Sequence, residues 1–237
     1  MKSYDPSKPL ISIHIPKCAG ASLSEVLRAW FKNGFRLHYH NEKRNIPPPR
    51  YKLYTGFFRK KPHHGLCIHG HFNNNRGNGT REYYPEVDQM ISVMRDPFDL
   101  HLSTYFYVRR QAKNKGSGAY RSGQKHRIIE NNWNLEDYLR ETKRSYILNF
   151  LPSDLAFDNY RQIIEDQFLY IGISENLQQS VNILSKIIGF YSIAVPHSNV
   201  SEWDEPVPEG AREEFEENNR LETEIYRFVK SKWGNSE

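Results

Sequence analysis

Apolar positions along the chain change period in a regular order. Leu10-Ile11-Ser12-Ile13-His14-Ile15 is a short β-branched run with the pattern of a buried strand, closed by Pro16. From Gly20 to Lys32 the period turns helical: Leu23, Val26, Leu27, Trp30 and Phe31 share one face, and Gly34 ends the segment. Strand-like runs recur at 52–57, 65–72 and 89–94. The last leads into Arg95-Asp96-Pro97 and a helical period over 97–112, with Pro97 suited to a first helical turn. Helices are expected near 134–151 and 158–167, then a strand over 168–173. A further helix is expected from a Ser174 cap to Ile188, stopped by Gly189, and a final one over about 209–233. Residues 113–127 are basic, rich in Gly and Ser and without a period, the pattern of a mobile loop that orders over a ligand. Strands alternating with helices predict an α/β fold with a three-layer, mostly parallel central sheet and flanking helices, in a single domain over 1–237. Ligands of such sheets bind beyond the carboxyl ends of the strands.

Composition narrows the classes. A chain of 237 residues can bury a sizeable core, and 38% hydrophobic with 14% aromatic residues indicates a folded domain under a polar surface. No stretch approaches the ~18 apolar residues of a membrane span. The first twenty residues lack a secretory pattern, so neither a transmembrane segment nor an exported precursor is expected. Two cysteines, Cys18 and Cys67, support neither a disulfide framework nor a four-cysteine zinc site, and a reducing cytoplasm is the expected compartment. The net charge of +5 conceals an asymmetry: residues 1–127 carry 23 Lys and Arg against 8 Asp and Glu, whereas residues 128–237 carry 10 against 20. The basic half suits an anionic partner, whether a nucleotide, an acidic sugar, nucleic acid or a lipid surface.

Two strand ends carry unusual residues. Between the first strand and first helix, Lys17-Cys18-Ala19-Gly20-Ala21-Ser22 combines small residues, a point charge and a hydroxyl where helix amides and the helix dipole favour an anion. Lysine opens this loop, whereas a Walker motif ends in Gly-Lys-Ser/Thr. An ordinary strand-to-helix turn fits the same residues. At the second end, Arg95 follows a buried strand and Ser103 lies eight residues later on the next helix, placing a bidentate phosphate fork near a hydroxyl. A structural Arg95–Asp96 turn is the alternative. A third feature is His69-Gly70-His71, in which alternation puts both imidazoles on one side of a strand. That spacing suits zinc, but no third ligand stands at convincing spacing.

These motifs carry a resemblance. His14-Ile15-Pro16-Lys17-Cys18-Ala19-Gly20-Ala21-Ser22 resembles the HIPKTAGTS phosphosulfate loop of the Golgi-type carbohydrate sulfotransferases, with cysteine and alanine replacing two threonines. The segment from Val93 to Tyr107 resembles their VxRDPxxRxxSxYxF element, with Leu100-His101 where an arginine commonly falls and Tyr107 at the terminal aromatic position. His69-Gly70-His71 is similar to the HGH segment of the uronosyl 2-O-sulfotransferases, and 171–177 is similar to their (V/I)GxxExL element. The resemblance implies a P-loop-NTPase-like sulfotransferase fold and 3′-phosphoadenosine 5′-phosphosulfate as donor, leaving as adenosine 3′,5′-bisphosphate. It implies that Lys17, Cys18, Ala19, Gly20, Ala21 and Ser22 hold the phosphosulfate, and Arg95 and Ser103 the 3′ phosphate. Lys17 would also steady the departing oxygen, His71 would act as base and His69 as its partner or substitute. The loop of Ser198, Asn199 and Ser201 falls where related enzymes close over adenosine.

An alcohol is a poor nucleophile at neutral pH, and an imidazole has the unperturbed pKa to take its proton. A sulfuryl group carries one negative charge fewer than a phosphoryl group, so no magnesium clamp and no other metal is expected. Lys52, Arg59, Arg76, Arg109 and Arg110 are candidates to meet an acidic acceptor, expected to be a saccharide or glycoconjugate rather than nucleic acid. The expected setting is the cytoplasm of a bacterium, with peripheral membrane association as an alternative. Rival functions are a P-loop-type small-molecule kinase and a non-catalytic module that binds a nucleotide or polyanion. Acceptor identity and oligomeric state are not legible in the sequence.

Overall fold

The computed structural model describes residues 2–53, 65–115, 123–141, 146–195 and 205–234. Five strands form one sheet: β1 (Leu10–Ile13), β2 (Phe35–His38), β3 (Cys67–Gly70), β4 (Met90–Met94) and β5 (Phe168–Ile173). Their order is β2-β3-β1-β4-β5 and every pairing is parallel, with Ile11 opposite Ile68 on one side and Met90 on the other. β1, β3, β4 and β5 are buried along their whole length, which accounts for their unbroken apolar runs.

Helix α1 (Gly20–Phe31) buries Leu23, Val26, Leu27, Trp30 and Phe31. Trp30 stacks on Phe190 at 5.6 Å, just past the end of α7 (Leu177–Ile188). After the short α2 (Thr80–Tyr83) come α3 (Pro97–Lys115), α4 (Gly123–Glu130), α5 (Leu135–Glu141) and α6 (Tyr160–Gln167). Two further helices follow, α8 (Ala211–Asn218) and α9 (Arg220–Trp233), and α9 packs on both α6 and β5. The step from β1 to β2 runs one way across the sheet and that from β4 to β5 the other. Right-handed crossovers therefore put α1 and the β4–β5 helices on opposite faces, giving three layers. The adjacent strands β1 and β4 thus send their chains apart at their carboxyl ends, which is a topological switch point with its crevice. Among the described residues no helix is long and apolar enough to cross a membrane.

Several expected boundaries move. β2 was not expected: it is four residues long with Arg36 half-buried and Leu37 exposed, and pairing with β3 rather than apolar patterning makes it a strand. Lys52 and Leu53 lie outside any strand, and the remainder of that expected run, with Arg59, falls outside the described residues. Of the helix expected over 134–151, α5 covers Leu135–Glu141 and Ile147–Asn149 form a 3₁₀ turn; residues 142–145 lie outside the described residues. Ser174 does not cap α7: residues Ser174–Asn176 make a 3₁₀ turn first, and the Ser174 hydroxyl donates to Glu175 instead. Gly189 ends α7 at φ 75°, as its left-handed backbone allows. The last expected helix is broken at Asn219, whose side-chain amide competes with the helix for the Phe215 carbonyl at 3.0 Å. The aperiodic stretch 113–127 is helical at both ends, in α3 and α4; residues 116–122 lie outside the described residues.

Candidate active site

The motif residues of the β1–α1 loop, the His69–His71 segment, the Arg95 turn and the 171–177 element stand at the carboxyl edge of the sheet. The β1–α1 loop turns sharply, with Lys17 at φ 69° and Ala19 at φ 54°, conformations uncommon outside glycine. α1 then starts with no side-chain cap and no acidic residue in its first turn, which leaves its amides and dipole directed at the loop. Ser22 is buried within that first turn. Cys18 points inward and joins the hydrophobic core, so what it can offer an anion is its backbone. Burial pushes its thiol well above the usual range, against the influence of Arg95, whose backbone amide it meets. The two strand-end loops therefore touch.

A second contact ties them. The Lys17 ammonium lies 4.2 Å from the ring centre of Tyr107 on α3, a cation–π pair. Ser103, 1% exposed, stands one helical turn before Tyr107 and on the same face. Lys17 thus meets α3 one helical turn from Ser103, and the Cys18–Arg95 contact joins its loop to the Arg95 turn. The Arg95 turn is itself clamped. The Asp96 amide donates to Glu175 at 2.8 Å, and Tyr226 Oη donates to the same carboxylate at 3.2 Å. Arg212 bridges Asp96 at 3.1 Å and Asp99 at 2.7 Å while covering the Phe98 ring. Burial and Asp96 raise the Asp99 pKa against the pull of Arg212. Glu175 is the acid of the element at 171–177, whose part here is to hold this turn. Gly172 serves the same packing, since a Cβ there would lie 2.8 Å from Ser180 Cβ on α7.

Beside the β1–α1 loop stands a cluster of rings. His69 on β3 is fully buried, its Nδ1 paired with Ser12 Oγ at 2.9 Å. Burial, reinforced by His14 and His71, holds its pKa well below the imidazole range. His71, one residue beyond β3, is half-buried and lies edge-on to His14, with ring centres 4.5 Å apart. His14, just past β1, stacks on His69 at 5.4 Å and pairs its Nδ1 with Tyr39 Oη at 2.8 Å. Burial depresses the His14 pKa to about 4, so the ring is neutral at neutral pH. Gly70 lets β2 approach: an added Cβ would fall 1.9 Å from the His38 carbonyl oxygen. His14 is marked in the sequence by its place at a strand end, and Tyr107 by its place at the end of the segment that carries Arg95 and Ser103. Tyr39 and Arg212 carry no such signal, because their elements meet the site only through tertiary packing. The set His14, His69 and His71 supplies the third imidazole that spacing lacked. Even so, among the described residues no group of three or more His, Cys, Asp or Glu is arranged to hold a metal.

The basic candidates separate. Lys52 and Arg110 are exposed. Arg76 pairs with Glu42, and Arg109 donates to Asn132 at 3.2 Å and Trp133 at 3.3 Å with Glu205 nearby, which ties it to the α3–α5 packing. Ser198, Asn199 and Ser201 lie outside the described residues.

No protein-family model and no curated protein matches this chain. Among solved structures, mouse sulfotransferase SULT7A1 complexed with PAP aligns with a TM-score of 0.42 and 13% identity over 79% of this chain. The alignment spans 61% of the mouse protein.

Proposed function

We propose that this chain is a sulfotransferase that moves a sulfuryl group from 3′-phosphoadenosine 5′-phosphosulfate to a hydroxyl of a saccharide or glycoconjugate. One observation carries the reading: two anion-suited loops, bearing Lys17 and Arg95, touch at the β1–β4 switch point with a cluster of imidazoles beside them. The donor is a substrate and supplies an activated sulfuryl group. The residues present fit it. The uncapped first turn of α1, the left-handed Lys17 and Ala19, and the Ser22 hydroxyl suit the phosphosulfate, with Lys17 opposing charge on the departing phosphate. Arg95 can fork onto the 3′ phosphate with Ser103 donating beside it.

On the acceptor side, His71 is half-buried with its Nε2 enclosed, and His69 is fully buried. His71 is assigned as the base that takes the hydroxyl proton as the acceptor oxygen bonds to sulfur, and His69 as its support. Lys52 and Arg110 are the exposed cations that remain to greet an acidic sugar.

The test begins with melting temperature. Adenosine 3′,5′-bisphosphate should raise it, and ATP with magnesium should not; the reverse result would favour a kinase. Labelled donor with a panel of acidic saccharides should then give transfer. Lys17→Ala should lower turnover by about 10²-fold or more. His71→Ala should lose about 10²–10⁴-fold while still binding the bisphosphate. Nucleotide binding without transfer to any acceptor would leave a binding module, and a fully active Lys17→Ala would remove the assigned role.

A further inference from the structure

Tyr39 and His14 have no part in the reaction as written, yet they join its two halves. His14 makes four directional contacts. Its Nδ1 pairs with Tyr39 Oη at 2.8 Å. Its Cδ2–Nε2 edge lies against the α-carbon of Gly20, where an added Cβ would stand 1.8 Å from Cδ2 and 2.0 Å from Nε2. Its face stacks on His69 at 5.4 Å and 13°, and its edge meets His71 at 4.5 Å and 65°. Tyr39, the first residue past β2, also packs edge-on against His71 at 4.8 Å and 72°. One ring therefore touches the opening of the helix assigned to the donor, and both it and its hydrogen-bond partner touch the imidazole assigned as base.

We propose that Tyr39 and His14 act as a positioning pair, which fixes the His71 ring relative to the first turn of α1. The consequence for turnover rests on the sulfotransferase reading; the packing claim does not. A base misplaced by about 1 Å can lose on the order of 10²-fold in rate, so the groups that set its orientation matter as much as its chemistry. Among the described residues, three rings stand close to His71: His14, Tyr39 and, at 5.8 Å, Phe150. Phe150 supplies only a wall. The hydrogen bond between Tyr39 and His14 gives the other two a fixed relative orientation. Tyr39 and His14 leave different strands, β2 and β1, and the bond between them spans the position of β3, from which His71 emerges.

The test is Tyr39→Phe, which deletes one oxygen and keeps the ring. The imidazole NMR signals of His71 should move while the melting temperature stays within a few degrees. With donor and an active acceptor, kcat should fall about 10-fold or more while the donor KM changes less than about twofold, the pattern of lost orientation rather than lost binding. His14→Asn, which keeps a polar atom near the Nδ1 position, should retain more turnover than His14→Ala. A wild-type kcat in Tyr39→Phe overturns the positioning role while leaving the sulfotransferase reading intact. Should wild type itself neither bind the bisphosphate nor transfer sulfate, that reading falls, and the His71 signals alone decide: movement in Tyr39→Phe upholds the pairing, and unmoved signals overturn it.

Discussion

Gly20 shows how a single residue in a loop can be required by a neighbour rather than by its own backbone. Its position opens α1 and its φ is not left-handed, so alanine would suit the helix; what forbids a side chain is the His14 ring. Gly20→Ala should therefore destabilise the fold by about 1–3 kcal/mol through overpacking. In a His14→Ala background the same change should cost much less. A double-mutant cycle read by denaturant unfolding checks this, and additive costs would mean that the two residues do not meet in solution. Lys17 and Ala19 illustrate the opposite case, in which non-glycine residues accept left-handed backbone. Such conformations cost on the order of 1–3 kcal/mol each and concentrate where the chain must turn its amides toward a ligand.

At the scale of elements, the Arg95 turn depends on a helix more than a hundred positions away. Arg212, in the first turn of α8, holds Asp96 and Asp99, which otherwise face each other beneath Arg95. Arg212→Ala should lower stability by about 1–2 kcal/mol, a modest value because the guanidinium is 41% exposed. That corresponds to a fall of roughly 2–8 °C in melting temperature. It should also weaken bisphosphate binding several-fold, readable by calorimetry; unchanged affinity would show that Arg95 is held without α8. The pattern that predicted β1, α1, β4 and α3 was strong because each buries a continuous run or a full helical stripe. β2 was silent because an edge strand of four residues owes its form to the partner it joins. The break at Asn219 was silent too, since the apolar stripe continues across it while the side chain competes for a carbonyl.

For the whole molecule the buried imidazoles set the response to acid. Burial lowers the pKa of His14 and His38 to about 4 and of His101 to about 3, and that of His69 well below the usual range. The unfolded chain protonates these rings near 6.5, whereas the folded chain does not. Their contribution is therefore complete above about pH 7 and is lost as pH falls from 6.5 toward the folded values. Each costs about 1.4 kcal/mol per pH unit in that window. Denaturant midpoints should thus drop steeply between pH 7 and 5, before most carboxylates titrate. A flat profile there would mean that the rings are more hydrated than their burial implies. His101→Asn, away from the assigned base, should flatten the slope.

Burial periodicity and strand-end motifs are local properties, and they suffice for the fold class, the order of most elements and the strand ends where the motif residues stand. The sequence by itself also marked Lys17, Arg95, Ser103 and the His69-Gly70-His71 segment, since residue type and spacing are enough to signal anion and proton chemistry. Only the tertiary structure decided that these segments share one edge, that Cys18 faces the core, and that Arg109 is engaged elsewhere. Tyr39 and Arg212 likewise became visible only through contacts made across the sheet and its helices. The reason is physical: parallel pairing and helix packing join residues whose separation along the chain leaves no periodic trace.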